Sequence, residues 1–239
     1  MSSLRVIDLG RRGYGAVLEL QRRLCRERID RTEPDDLLLL VEHDPVVTLG
    51  RGTRSTSLPL EPDALRARGV EVFEVERGGD VTLHAPGQLV GYPIFDLKGH
   101  RTDLHWYLRQ LEEALIRALE GFGIPAERNP GLTGVWTRGR KIASIGIHVK
   151  QWVTFHGFAL NVTTALDLFG LIVPCGIHGV TMTSIREETG PDHDDLMQHA
   201  KDRVVDAFHA VFGFEAAAPA ETGSPLPPFT GNSPIQPDG

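Results

Sequence analysis

The chain has 239 residues, of which 41% are hydrophobic and 24% charged, and it carries a formal net charge of −7. That balance suits a globular protein with a sizeable core, built as one large α/β domain or two small ones, and it argues against nucleic acid as a partner. No run of about 20 apolar residues occurs, and Met1–Asp8 lacks a basic segment followed by a long apolar one. Neither a membrane span nor a secretory leader is therefore expected, and with Cys25 and Cys175 as the two cysteines the reading is a cytoplasmic protein with free thiols.

Residues 14–29 place Tyr14, Val17, Leu18, Leu24, Cys25 and Ile29 at helical spacing, with arginines between them. Leu37–Val41 is a solid apolar run and reads as a buried strand. Val46–Leu49 and Val70–Val75 read as further strands. Asp80–His84 and Leu89–Leu97 are two extended pieces broken by Ala85-Pro86-Gly87-Gln88. Asp103 can cap a helix whose apolar face is Leu104, Tyr107, Leu108, Leu111, Leu115, Ala118, Leu119 and Phe122, stopped by Gly123 and Pro125. Lys141–Val149 and Val153–Val162 alternate and suggest an antiparallel hairpin turning at Lys150-Gln151. Residues 195–213 form a last amphipathic helix, and from Ala216 onward the composition predicts a mobile tail. Neighbouring strands and a few long helices point to an α+β fold with a mixed, largely antiparallel sheet flanked by helices, not a doubly wound sheet.

Cys175 follows Pro174 and precedes Gly176, so a thiolate there would sit on a fixed backbone with room for a ligand. The alternative is an inert buried thiol. Cys25, on the apolar stripe of a helix, reads as core. Lys141 opens a strand of small residues. If partly buried it would have a depressed pKa and could move protons near neutrality; otherwise it is a solvated strand-end lysine. Arg77-Gly78-Gly79-Asp80 is a glycine turn that admits a ligand or simply closes a hairpin, with no G-x-G-x-x-G or Walker pattern beside it. The ten histidines show no His-Glu-x-x-His spacing, so no metal site is expected. A protease-type dyad of Cys175 with His84 or His178 stays open.

Five segments in order resemble the lipoyl(octanoyl) transferase family, a relative of lipoate- and biotin-protein ligases. They are Arg77-Gly78-Gly79-Asp80-Val81-Thr82-Leu83-His84-Ala85-Pro86-Gly87-Gln88, Gly134-Val135-Trp136, Lys141 through Ile147, Phe155 through Val162, and Pro174-Cys175-Gly176-Ile177. The resemblance runs from about Leu4 to the last helix. It implies a biotin/lipoate-protein-ligase-like single catalytic domain over 1–215, with 216–239 as the tail. It implies that Cys175 accepts the acyl group as a thioester and that Lys141 lowers the thiol pKa and serves as acid and base. It further implies that Arg77, Gly78, Gly79, Asp80, Val81, Thr82, Leu83 and His84, with Ser144, Ile145, Gly146, Gly157, Phe158 and Ala159, line the acyl pocket. The implied donor is octanoyl-acyl carrier protein. The implied acceptors are lipoyl domains of 2-oxoacid dehydrogenases and the glycine cleavage H protein, with no cofactor. Glycines 78, 79, 146 and 157 would leave room for the chain, and Arg51, Arg54, Arg77, Arg138, Arg140 and Lys150 would form a docking face. Ala85 stands where the family usually has glycine, and a positive φ there would be strained. Two rival readings are an ATP-dependent lipoate-protein ligase, which would not need Cys175, and a non-catalytic acyl-carrier-binding module.

Overall fold

A computed structural model describes residues 3–173, 179–190 and 195–215. Its centre is a six-stranded sheet in the order β1-β2-β6-β9-β8-β7. The strands are β1 (Leu4–Arg12), β2 (Asp36–His43), β6 (Gln88–Ile94), β7 (Val135–Thr137), β8 (Arg140–Lys150) and β9 (Val153–Asn161). β1 and β2 are parallel, and the other neighbours antiparallel. A second, three-stranded sheet has the order β4-β3-β5, formed by β4 (Glu71–Glu74), β3 (Val46–Leu49) and β5 (Val81–His84). The mixed, largely antiparallel α+β reading holds, but with two sheets instead of one. β3 follows β2 after a two-residue turn yet does not pair with it, because β2 already has β1 and β6 on its two edges.

The solid apolar run of β2 is explained by burial on both faces. Leu37, Leu39 and Val41 pack with Val17, Leu20, Leu24 and Cys25 of α1 (Tyr14–Ile29), whereas Leu38 and Leu40 pack with α3 (Leu104–Glu120) and α5 (Leu196–Phe212). The Asp103 carboxylate accepts the Trp106 N–H at 3.0 Å and caps α3 as expected. Leu104, expected on the apolar face, is 43% exposed, since at the first helical position it precedes the stripe that meets α5. The β8–β9 turn falls one residue later than expected. Lys150 pairs with Val153, so Gln151 and Trp152 form the loop with φ of 51° and 70°, the left-handed pair that a two-residue hairpin demands. β6 stops at Ile94 because Asp96 turns the chain, its side chain accepting the Lys98 N–H. β1, β7 and the short helices α2 (Pro62–Arg66) and α4 (Ile185–Thr189) were not expected.

Candidate active site

Strand periodicity sets up a cleft between the two sheets. On β8 and β9, Ser144 lies opposite Ala159 and Gly146 opposite Gly157, four small residues on one face. Over that face lie β5 and the segment that precedes it. Gly78 N–H donates to the Ile147 carbonyl at 2.8 Å, which docks the Arg77–Gly78 turn across β8. The result is an open cleft of about 890 Å³ counted out to its mouth.

Of the residues expected to line it, Arg77, Gly79, Asp80, Val81, Thr82, His84, Ser144, Ile145, Gly146, Gly157, Phe158 and Ala159 do so, together with Lys141. Two are placed elsewhere. Leu83 turns into a core cluster with Val47, Leu65 and Phe169, as alternation along β5 requires once Thr82 and His84 face the cleft. Gly78 is exposed and binds β8 through its backbone without lining the cleft. Phe158 contributes backbone, since its ring packs 5.8 Å from Phe208 on the opposite face. The glycines act differently from the expectation of vacated space. A Cβ on Gly146 would come within 3.1 Å of Arg77 Cδ and the Gly78 carbonyl, and one on Gly157 within 2.2 Å of the Gly91 carbonyl. Gly146 therefore lets the turn dock, and Gly157 lets β6 approach β9. Ala85 is unstrained. The left-handed residue of that turn is Gly87 at φ 81°, while Ala85 is fully buried beside Val81 and Leu83.

Lys141 is 2% exposed, not a solvated strand end. Its Nζ donates to the Thr133 carbonyl at 3.3 Å and lies 4.8 Å from the centre of the Trp136 ring. Its backbone is gripped on both sides: Lys141 N–H donates to the Thr181 carbonyl at 2.8 Å, and Thr183 N–H donates to the Lys141 carbonyl at 2.9 Å. Thr133 belongs to a loop that Glu112 supports from α3. That carboxylate, 1% exposed, accepts the Gly134 N–H and meets Arg109 and Arg128. Cys175 and His178 lie outside the described residues. Cys25 is buried, and burial pushes its thiol up to about 11, so it is core.

The inner end of the cleft carries polar groups that sequence reading missed, because nothing in their spacing marks them. Tyr14, Tyr92 and His156 line it with His84. Burial lowers His84 to about 3 and His43 behind it to about 4. A neutral His84 with so little basicity is poorly suited to be the base of a cysteine dyad. Both histidines destabilise the fold in acid. Below about pH 6.5 the unfolded chain takes up protons that the folded chain refuses, so stability falls as pH drops from there toward 4, by about 1.4 kcal/mol per pH unit per histidine. Urea titrations at pH 7, 6 and 5 should show this slope, and a shallower one in His43→Gln; an equal slope in the variant would place the acid loss on other groups.

Arg77 cannot belong to a docking face. It is 7% exposed, with Nη2 donating to the Thr48 carbonyl at 2.7 Å and to Thr48 Oγ1 at 2.8 Å. Arg138 and Arg140 both reach the carboxylate of Glu188, at 2.6 and 2.8 Å. Among the described residues, no group of three His, Cys, Asp or Glu could hold a metal ion, and no helix is long and apolar enough to cross a membrane.

Solved structures with the same fold include the bipartite lipoate protein ligase of Thermoplasma acidophilum, at TM-score 0.69 and 16% identity, covering 90% of this chain and 86% of that one. Another is P. falciparum LipL1 in complex with lipoate, at TM-score 0.69 and 12% identity, covering 88% and 63%. Sequence relatives are much nearer. An octanoyltransferase of Nostoc sp. is 48% identical over 203 residues, covering 84% of this chain and 89% of that protein. Another from Chloroflexus aggregans is 47% identical over 215 residues, covering 89% and 96%. The family model described as the lipoyl protein ligase A/B catalytic domain matches residues 14–209. With a lipoate-ligase fold, a cleft of small residues beside a buried lysine, and near-half identity along most of its length, the chain belongs to the octanoyltransferase family within the lipoyl protein ligase A/B group.

Proposed function

We propose that this acyltransferase carries an octanoyl group from the phosphopantetheine thioester of acyl carrier protein, through Cys175, to a lysine on lipoyl domains of 2-oxoacid dehydrogenases and the glycine cleavage H protein, in the cytoplasm. Residues 1–215 form its one catalytic domain. In the first step the Cys175 thiolate bonds to the acyl carbon, the bond from that carbon to the phosphopantetheine sulfur breaks, and the leaving thiolate takes a proton from the Lys141 ammonium. In the second, the substrate lysine nitrogen bonds to the same carbon and Cys175 leaves as thiolate. The proton lost by the amine passes to Lys141. An amide is more stable than a thioester, so the reaction needs no ATP.

One observation carries the reading. Lys141 is buried at the edge of the small-residue cleft, and its backbone partners, Thr181 and Thr183, are the stretch of chain that follows Cys175. On the near side, Val173 N–H donates to the Ser57 carbonyl at 2.9 Å, while Ser57 Oγ donates to Asp80 of the acyl-binding segment at 2.6 Å. An eight-carbon chain in the cleft gains about 0.8 kcal/mol per buried CH₂, enough to select length. The test is incubation with octanoyl-acyl carrier protein without ATP, followed by intact mass. Wild type should gain one octanoyl group and Cys175→Ala none. A wild-type protein that gains no octanoyl group, and that modifies lipoyl domains only from free octanoate with ATP, would make it a ligase instead.

A further inference from the structure

Three buried side chains, His84, Gln88 and Asn161, and the backbone carbonyl of buried Thr183 form one continuous chain of hydrogen bonds that ends at the cleft. Gln88 and Asn161 are directly opposite each other on β6 and β9, so their side chains share a face. Asn161 Nδ2 donates to the Thr183 carbonyl at 2.9 Å, Gln88 Nε2 donates to Asn161 Oδ1 at 2.9 Å, and Gln88 Oε1 lies 2.8 Å from His84 Nδ1. All four residues are 6% exposed or less.

The chain has a single possible direction. A carbonyl only accepts, so the Thr183 oxygen requires the amide nitrogen of Asn161 beside it. That leaves Asn161 Oδ1 toward Gln88, which must present its nitrogen. The second hydrogen of that nitrogen goes to another carbonyl, Leu83, at 3.2 Å, so the Gln88 amide is fixed twice over. Gln88 Oε1 then faces His84, whose Nδ1 must carry the proton. Burial and the nearby His43, Arg77 and His156 disfavour a second proton on His84, and Tyr14 stacks on its ring at 5.9 Å. Nε2 is left as a bare acceptor on a residue that lines the cleft, with no hydrogen bond to another described residue.

We propose that Gln88 and Asn161 are positioning residues for octanoyl transfer: a cross-strand amide pair that locks His84 in its Nδ1–H form toward the cleft and, through Thr183, ties the acyl-binding strand to the backbone of Lys141. The proposal rests on the cleft being the transfer site. Gln88→Glu keeps the shape and removes both donors, so it should pull a proton onto His84. Asn161→Asp sets a carboxylate against the Thr183 carbonyl.

Nitrogen-15 NMR of histidine-labelled wild type should show His84 protonated at Nδ1, bare at Nε2 and without titration between roughly pH 5 and 8; Gln88→Glu should introduce a titration in that range. Both variants should lose roughly 10²-fold in kcat for octanoyl transfer, the scale of a misplaced reacting group, with KM for octanoyl-carrier protein little changed. A wild-type His84 protonated at Nε2, or titrating in that window, would overturn the proposal even if neither variant folds. So would folded variants that transfer at the wild-type rate. The tautomer measurement does not use transfer, so it stands apart from whether Cys175 carries the acyl group.

Discussion

Lys141→Ala is expected to slow octanoyl transfer by about 10²–10⁴-fold, the range contributed by a positioned proton-transfer group. The side chain is nearly inaccessible, yet its nitrogen is held to a loop carbonyl and over an indole ring. Such a nitrogen is poised to act on a group inside the cleft. A buried cation also stabilises a nearby thiolate, so the rate of Cys175 alkylation against pH should move to a higher midpoint in the variant. Lys141→Met, which keeps the stem against Trp136, should behave as alanine does. Wild-type transfer by folded Lys141→Met would remove the amine from the mechanism, and an unmoved alkylation midpoint would remove it from thiolate stabilisation.

A large loss of stability is expected at Gly157. A Cβ there would stand 2.2 Å from the Gly91 carbonyl and 2.6 Å from Pro93 Cδ. Neither neighbour is the free end of a flexible side chain, so β6 and β9 must part in the middle of the sheet. Overpacking of this kind costs about 1–3 kcal/mol and more where backbone must move. Gly146→Ala meets Arg77 Cδ and the Gly78 carbonyl at 3.1 Å, a contact that a surface turn can relieve. Urea unfolding should therefore rank Gly157→Ala well below Gly146→Ala, and equal midpoints would contradict the close approach of the two strands.

Sequence periodicity exposed the elements whose burial is decided locally. The Asp103 cap, the stripe of α1 and the alternation of β8 and β9 could all be read from residue order. β1 could not. Leu4–Arg12 is half charged or glycine, and of its residues Leu4 and Leu9 are the ones buried. It is a strand because β2 offers it a parallel edge, which no local pattern reports. The three strands of the small sheet could be read from residue order, but not that they pair apart from the main sheet, since one of the pairings is parallel and joins strands more than twenty residues apart. At the site, the motifs located the cleft-lining residues but not the role of each. The facing of Leu83 depends on the phase of β5, and the demand for glycine at 157 comes from a strand more than sixty positions earlier. Gln88 and Asn161 are ordinary residue types that acquire meaning from register alone.

The docking of Arg77–Gly78 over Gly146, and of β6 against Gly157, bears on redesign of substrate choice. Because protein already fills the volume those two glycines vacate, neither is a usable handle for narrowing the cleft. Ser144 and Ala159 face each other across β8 and β9 and line the same cleft. If the cleft takes the acyl chain as proposed, enlarging Ser144 is expected to shorten the tail the enzyme admits.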